Sequence, residues 1–267
     1  MHVQEGRSLK KKVLKHSILF ICIFIVSFGI MTGCRDKESN YQSDDQLGYL
    51  AYDEYMDDEN LIYIEEKDGY HPYIVLTNYY DDKTLLLRKY LLGDFIRMNE
   101  YYAQYEGCEM DKYLNNEFLN SLSPAIQEKI QDTNIVVTEQ ARQGASDNGK
   151  TYTINRKVFL LSSAEIGFTM KYVVQKEGKS LKYFKKDENW FAYLENDNTK
   201  GYPWWLRTND INSESCFLFV AGDEPITSRI NAFDTNGVRP AFCLDSNLEI
   251  EKTDQVVDGE EVYVLKD

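Results

Sequence analysis

Tyr202-Pro203-Trp204-Trp205-Leu206-Arg207 decides how this chain is read, and Gly237-Val238-Arg239-Pro240-Ala241 answers it thirty residues further on. Two adjacent tryptophans carry a large apolar surface that is best buried, yet each indole N–H still needs an acceptor there. Each motif also holds an arginine, whose rigid fork of donors clamps carbonyls or a carboxylate. The pattern predicts a structural pin between two strands. Trp204, Trp205, Arg207, Gly237 and Arg239 are the expected frame, and residues 208–236 are the segment that the frame displays.

Downstream of the double tryptophan, residues 216–221 predict a strong strand, Gly222-Asp223-Glu224-Pro225 a turn, and residues 226–233 a weaker strand. Another strand is expected over 238–244, where Pro240 has no N–H to give and so marks an edge or a bulge. Leu248-Glu249-Ile250-Glu251 alternates apolar and acidic, and with the turn signal Asp258-Gly259 and the run Val262-Tyr263-Val264-Leu265 it predicts a final hairpin.

Upstream, short apolar runs predict strands at 61–64, 72–77 and 84–88, the last two joined by the turn residues Asn78-Tyr79-Tyr80-Asp81-Asp82-Lys83. Those runs are apolar on both faces, as strands covered on both sides are. Leu114, Phe118 and Leu122 recur at every fourth position and predict a helix; Ser123-Pro124 starts a second one. Strands follow at 135–138 and 157–161, with a polar loop at 143–150 between them. Ser162-Ser163-Ala164-Glu165 has the spacing of a capping box, and 188–195 carries a second short helical pattern. No internal repeat is found. One α+β domain over 61–267, mainly antiparallel with a few short helices, is the expected fold class.

Nothing in the composition opposes a sizeable core: 43% of the 267 residues are hydrophobic and 13% aromatic, with 20 tyrosines. The net charge of -14 speaks against nucleic acid, whose phosphates need basic patches.

Residues 1–33 read as an export signal. Arg7, Lys10, Lys11, Lys12 and Lys15 form a basic start, and residues 17–31 are an uncharged apolar run too short for a comfortable membrane span. The run ends in Met31-Thr32-Gly33-Cys34, small residues before a cysteine, which resembles a bacterial lipobox. Cys34 is then the acylated first residue of the mature chain. It would anchor the protein in the lipid bilayer on the extracytoplasmic face of the cell membrane. A plain signal peptide and an uncleaved anchor are the alternatives. Removing 1–33 changes the charge from -14 to -18, because five basic residues and one acidic residue leave. Residues 34–60 are acidic and read as a flexible tether.

Taken together, Tyr73-Ile74-Val75-Leu76, Lys83-Thr84-Leu85-Leu86-Leu87, Tyr113-Leu114-Asn115-Asn116-Glu117-Phe118, Lys157-Val158-Phe159-Leu160-Leu161-Ser162 and the two opening motifs resemble a family of bacterial extracytoplasmic domains of unknown function. The resemblance covers about residues 70–246, and the last pair of motifs is its specific part. That family looks like a variant of the C-type-lectin-like fold, which also carries the formylglycine-generating enzymes. By resemblance, the displayed segment would meet a protein or glycan ligand through Asn209, Asp210, Asn212, Glu214, Asp223, Arg229, Asn231, Asp234 and Asn236. The calcium-site motifs of the lectins are not matched, nor is a copper-binding cysteine motif.

The chemistry in the sequence is sparse. His2 and His16 lie in the leader, so His71 alone remains, read as a turn residue. A multi-histidine metal centre is excluded. Among Cys108, Cys216 and Cys243, the last two sit in candidate strands beside the displayed segment and form a candidate disulfide. A metal or redox pair and inert buried thiols are the rival readings. No nucleophile elbow, phosphate loop or zinc motif occurs, so no catalytic residue, metal or cofactor is assigned. The expected function is a lipoprotein presenting a non-catalytic binding domain. A formylglycine-generating-type oxidoreductase and a structural envelope protein are the alternatives.

Overall fold

The computed structural model describes residues 43–53, 59–169 and 176–266. The expected signal, Cys34 and the first part of the tether lie outside them. In chain order the strands are β1 (Leu61–Glu66), β2 (Gly69–Tyr80), β3 (Lys83–Arg88), β4 (Ile96–Arg97), β5 (Thr133–Thr138), β6 (Thr151–Arg156), β7 (Val158–Phe159), β8 (Trp204–Asn209), β9 (Cys216–Val220), β10 (Thr227–Asn231), β11 (Thr235–Asn236), β12 (Ala241–Leu244), β13 (Ile250–Val257) and β14 (Glu260–Leu265). Two short helices, α1 (Glu109–Tyr113) and α2 (Pro124–Lys129), lie between β4 and β5.

Seven strands form the main sheet in the order β13-β14-β1-β2-β3-β12-β7. Every pairing in it is antiparallel except β1 with β14. The expected hairpin is β2–β3, but its turn is only Asp81-Asp82. Both have positive φ, 50° and 59°, as a tight turn matching the strand twist requires. The strands therefore run further into the tyrosines than the turn residues suggested. β3 is buried from Thr84 to Arg88, in keeping with cover on both faces. The C-terminal hairpin β13–β14 also forms, turning at Asp258 and Gly259 with φ of 54° and 94°.

Pro240 corrects one expectation. It stands just before β12, and β12 is an interior strand paired with both β3 and β7. The proline costs no ladder bond there, and its carbonyl accepts from Arg88 N at 3.0 Å.

The helical region starts earlier than its leucine spacing implied. Cys108 caps α1, its sulfur accepting from Asp111 N, and the chain then widens into a π turn at Leu114–Phe118 and tightens at Leu119–Ser121. α2 starts as predicted, with Ser123 Oγ accepting from Ile126 N at 3.4 Å. β6 was not anticipated, since Thr-Tyr-Thr-Ile-Asn-Arg offers one buried apolar side chain, Ile154. Its pairing with β5 supplies what its sequence does not. The run 157–161 forms a strand only at Val158–Phe159. The capping box at Ser162 and Glu165 makes both reciprocal bonds, at 3.1 and 2.8 Å, but the turn stops at Gly167, whose φ is +81°. Over 188–195 only a 3-10 turn at Asp187–Trp190 forms. Part of the expected tether is packed: Leu47 and Leu50 are fully buried, with Leu47 N donating to Leu248 O at 2.8 Å. Among the described residues no helix is long and apolar enough to cross a membrane.

The two opening motifs meet as predicted. Trp205 N donates to Gly237 O at 3.0 Å, and Gly237 N donates to Pro203 O at 2.9 Å. Only glycine fits at 237, because a Cβ would lie 2.6 Å from Leu91 Cδ1 and 2.9 Å from Pro203 O. Trp204 and Trp205 are completely buried. Their indoles donate to Trp190 O at 3.0 Å and Ile96 O at 2.8 Å. The second of these bonds reaches 109 residues along the chain. A Trp205→Ala variant should therefore lose about 3–5 kcal/mol of stability, read by urea unfolding. A variant that melts with the wild type would remove Trp205 from the frame.

Candidate functional site

β8 carries Arg207 two residues after the tryptophans, and its side chain is fully buried. Its guanidinium meets Glu165 end-on: Nη1 to Oε2 and Nη2 to Oε1, both 2.7 Å. Leu160 O and Glu177 O take the other two Nη bonds at 2.8 and 2.6 Å, and Val136 O takes Nε at 3.1 Å. Tyr80 adds a hydroxyl donor to Glu165 at 2.5 Å. Burial opposes the charge on Arg207, but the Glu165 carboxylate more than offsets it and the arginine is held firmly cationic. Arg239 is the second clamp. Nε donates to Arg88 O at 3.0 Å and the guanidinium lies 5.4 Å from the Trp204 ring, while Nη1 has no partner. Its pKa is lowered, chiefly by burial.

Glu177 completes this buried layer. Its carboxyl accepts from Thr138 Oγ1 at 2.7 Å and from Thr208 Oγ1. Burial raises its pKa, even though Arg207 and the two threonines pull the other way. Both arginines and this acid face the interior. They hold a surface up and are out of reach of a ligand.

The displayed segment is not a loop. About half of 208–236 folds into the three-stranded sheet β8–β9–β10 and the short β11. The expected ligand residues divide accordingly. Asn209, Asp210 and Asn236 are buried. Asn209 donates to Ala103 O and Glu139 O at 3.2 and 3.0 Å, so its amide ties loops together. Asp210 accepts from Asn212 N at 2.8 Å and pairs with Arg229. Asn231 is half-buried and accepts from Ser215 Oγ at 3.2 Å; Asp234 is half-buried as well. Asp223 is exposed, but it lies beyond the Val220–Thr227 end of the β9–β10 ladder. Asn212 and Glu214 lie beyond the opposite, Cys216–Asn231 end.

Asn212 and Glu214 do form something. With Ser213 they face Arg142, Gln143 and Asn148 across a groove of about 590 Å³. Glu214 joins the two walls: Oε1 accepts from Gln143 N at 2.6 Å, and its carbonyl accepts from Ala103 N at 2.8 Å. The facing loop is closed by Asn148, whose amide accepts from Arg142 N at 2.9 Å and donates to Arg142 O at 3.0 Å. Gly144 turns it with φ of +74°. The polar run 143–150 was legible as a loop, but nothing in the sequence placed it opposite Asn212.

The candidate disulfide is not present: Cys108, Cys216 and Cys243 are all free. Cys216 lies in β9 opposite Asn231, and Cys243 in β12 opposite Leu85, in different sheets. Burial pushes the Cys108 and Cys243 thiols up to about 12, so neither is a ready nucleophile.

Residues 81–246 match the family described as a domain of unknown function, DUF6273, and the chain belongs to that family. The matched stretch holds both clamp arginines and both walls of the groove. No curated protein and no solved structure matches the chain.

Glu177 gives the buried layer a pH signature. A carboxyl whose folded pKa lies above its ordinary value of 4.5 stabilises the fold fully below that value and loses the contribution as pH rises through the folded pKa. Glu177→Gln should remove that loss. Urea unfolding from about pH 4 to 7 should show the variant gaining on the wild type as pH rises; parallel curves would contradict it.

Proposed function

We propose that this protein is a lipoprotein held at the extracytoplasmic face of a bacterial membrane through acylated Cys34. On this reading its α+β domain is a variant of the C-type-lectin-like fold and binds a protein or glycan without catalysis. The carrying observation is the groove between 141–148 and 212–214: exposed amide, carboxylate and guanidinium groups stand over a layer whose own charges are all turned inward. Polar groups on loops fixed by a rigid scaffold are the usual makings of a recognition site. Asn212, Glu214 and Arg142 are the contact residues of this reading; Asp210 supports Asn212 by accepting from its backbone N–H, and Asn209 ties Ala103 and Glu139 beside them. The oxidoreductase alternative draws no support from three unpaired cysteines, two of them with raised pKa values.

Asn212→Trp fills the groove from an exposed position, so it should abolish binding on glycan and envelope-protein arrays while stability stays within about 0.5 kcal/mol. Every detected interaction surviving that change would favour a structural envelope role. The anchor is tested separately. Cys34→Ala should move the protein from the membrane to the soluble fraction and abolish palmitate labelling; unchanged labelling and fractionation would refute lipidation.

A further inference from the structure

His71 is the lone histidine beyond residue 33, and it is set among carboxylates at the β1–β2 hairpin. Glu66 pairs with Gly69 across the two-residue turn Lys67-Asp68, so His71 and Tyr73, two and four residues further on, share its face of the sheet. Asp68 reaches back from the turn. Ligand atoms of Glu66, Asp68 and His71 all lie within 4.8 Å of one another. We propose that this hairpin binds a divalent transition-metal ion through His71 Nε2, Asp68 and Glu66, with Glu195 orienting the imidazole.

The histidine's hydrogen bonds carry the argument. Nδ1 lies 2.8 Å from Glu195 Oε2, a carboxylate partner of the kind that fixes the tautomer of metal-binding histidines. With Nδ1–H donating to Glu195, Nε2 holds a lone pair, and it faces Asp68 Oδ1 at 3.1 Å. With that tautomer, two acceptors face each other at hydrogen-bond distance, an arrangement that a cation bound between them would satisfy. Ligand atoms on a tetrahedral zinc with bonds of about 2.0–2.2 Å stand about 3.3–3.6 Å apart, so His71 and Asp68 are already close to that spacing. Glu66 is the deeper third ligand, its Oε1 held by Tyr73 Oη at 2.9 Å and Arg88 Nε at 2.8 Å.

Charge and access agree. Glu66, Asp68 and Glu195 set against Arg88 leave an excess of two carboxylates around the imidazole, which a dication balances. The Asp68 side chain is 77% exposed while Glu66 is 6% exposed, so an ion has a route in and open positions for water. An imidazole in the ligand set favours zinc or cobalt over calcium or magnesium, which prefer all-oxygen sites. The three ligands precede the family-matched stretch, and Glu195 and Arg88 lie inside it.

Equilibrium dialysis of the full chain in detergent against zinc should show a bound equivalent that Asp68→Asn and His71→Gln each remove. Glu195→Gln, a positioning change, should weaken zinc binding by about 10–100-fold. Cobalt(II) should give visible absorption bands in the wild type that are lost in His71→Gln. Asp68 lies on an exposed turn, so its variant stays folded and circular dichroism will show it. Zinc uptake that is unchanged in the Asp68 and His71 variants, or absent from the wild type, would overturn the proposal.

Discussion

Arg207 takes five N–H donors into a fully buried site, and all five are used. A buried guanidinium is tolerable only on such terms, because the desolvation of an ion costs several kcal/mol that good geometry must offset. Its acceptors come from four places: Val136 in β5, Leu160 after β7, Glu165 in the capping turn and Glu177. None of these segments can shift without stranding a charge. Gly178 is part of the same constraint, since a Cβ there would meet the Glu165 carboxyl at 2.6 Å. The arginine thus fixes the floor on which β8, β9 and the loop before β6 stand.

The tryptophans do the corresponding work at the start of β8. Trp204 stacks under Arg239, while Trp205 reaches back to β4 through its indole bond. Apolar burial and directional bonds act on one strand, so β8 ties the seven-stranded sheet to the smaller ones. Beyond the frame, Glu214 joins the two walls of the groove through its bond from Gln143 N.

The frame was legible because rare residues carried it. A double tryptophan with an arginine two residues on has few uses outside a buried clamp, and Gly237 and Arg239 completed the pattern. The meander β1–β3 and the last hairpin were legible too, from apolar runs and turn dipeptides. What was hidden depends on distant pairing. β6 is a strand because β5 is beside it, and Asn209 is a buried tie because Ala103 and Glu139 offer it carbonyls. Polar residues in a segment look alike on paper whether they face water or a neighbouring backbone. For the same reason Asn212 and Asp210, two residues apart, have opposite roles. Cys216 and Cys243 looked like partners by their position beside one segment, but they belong to different sheets.

The central claim is that a buried clamp carries the rim of the groove and outlasts it when the fold opens locally. Native-state hydrogen exchange read by mass spectrometry tests it directly. The account predicts that amides of Trp205 and Arg207, both bonded within the frame, exchange only through global unfolding. Amides of 142–148 and 212–214 should exchange earlier, through local opening. Frame amides exchanging as fast as the rim, or a rim protected as strongly as the frame, would contradict it.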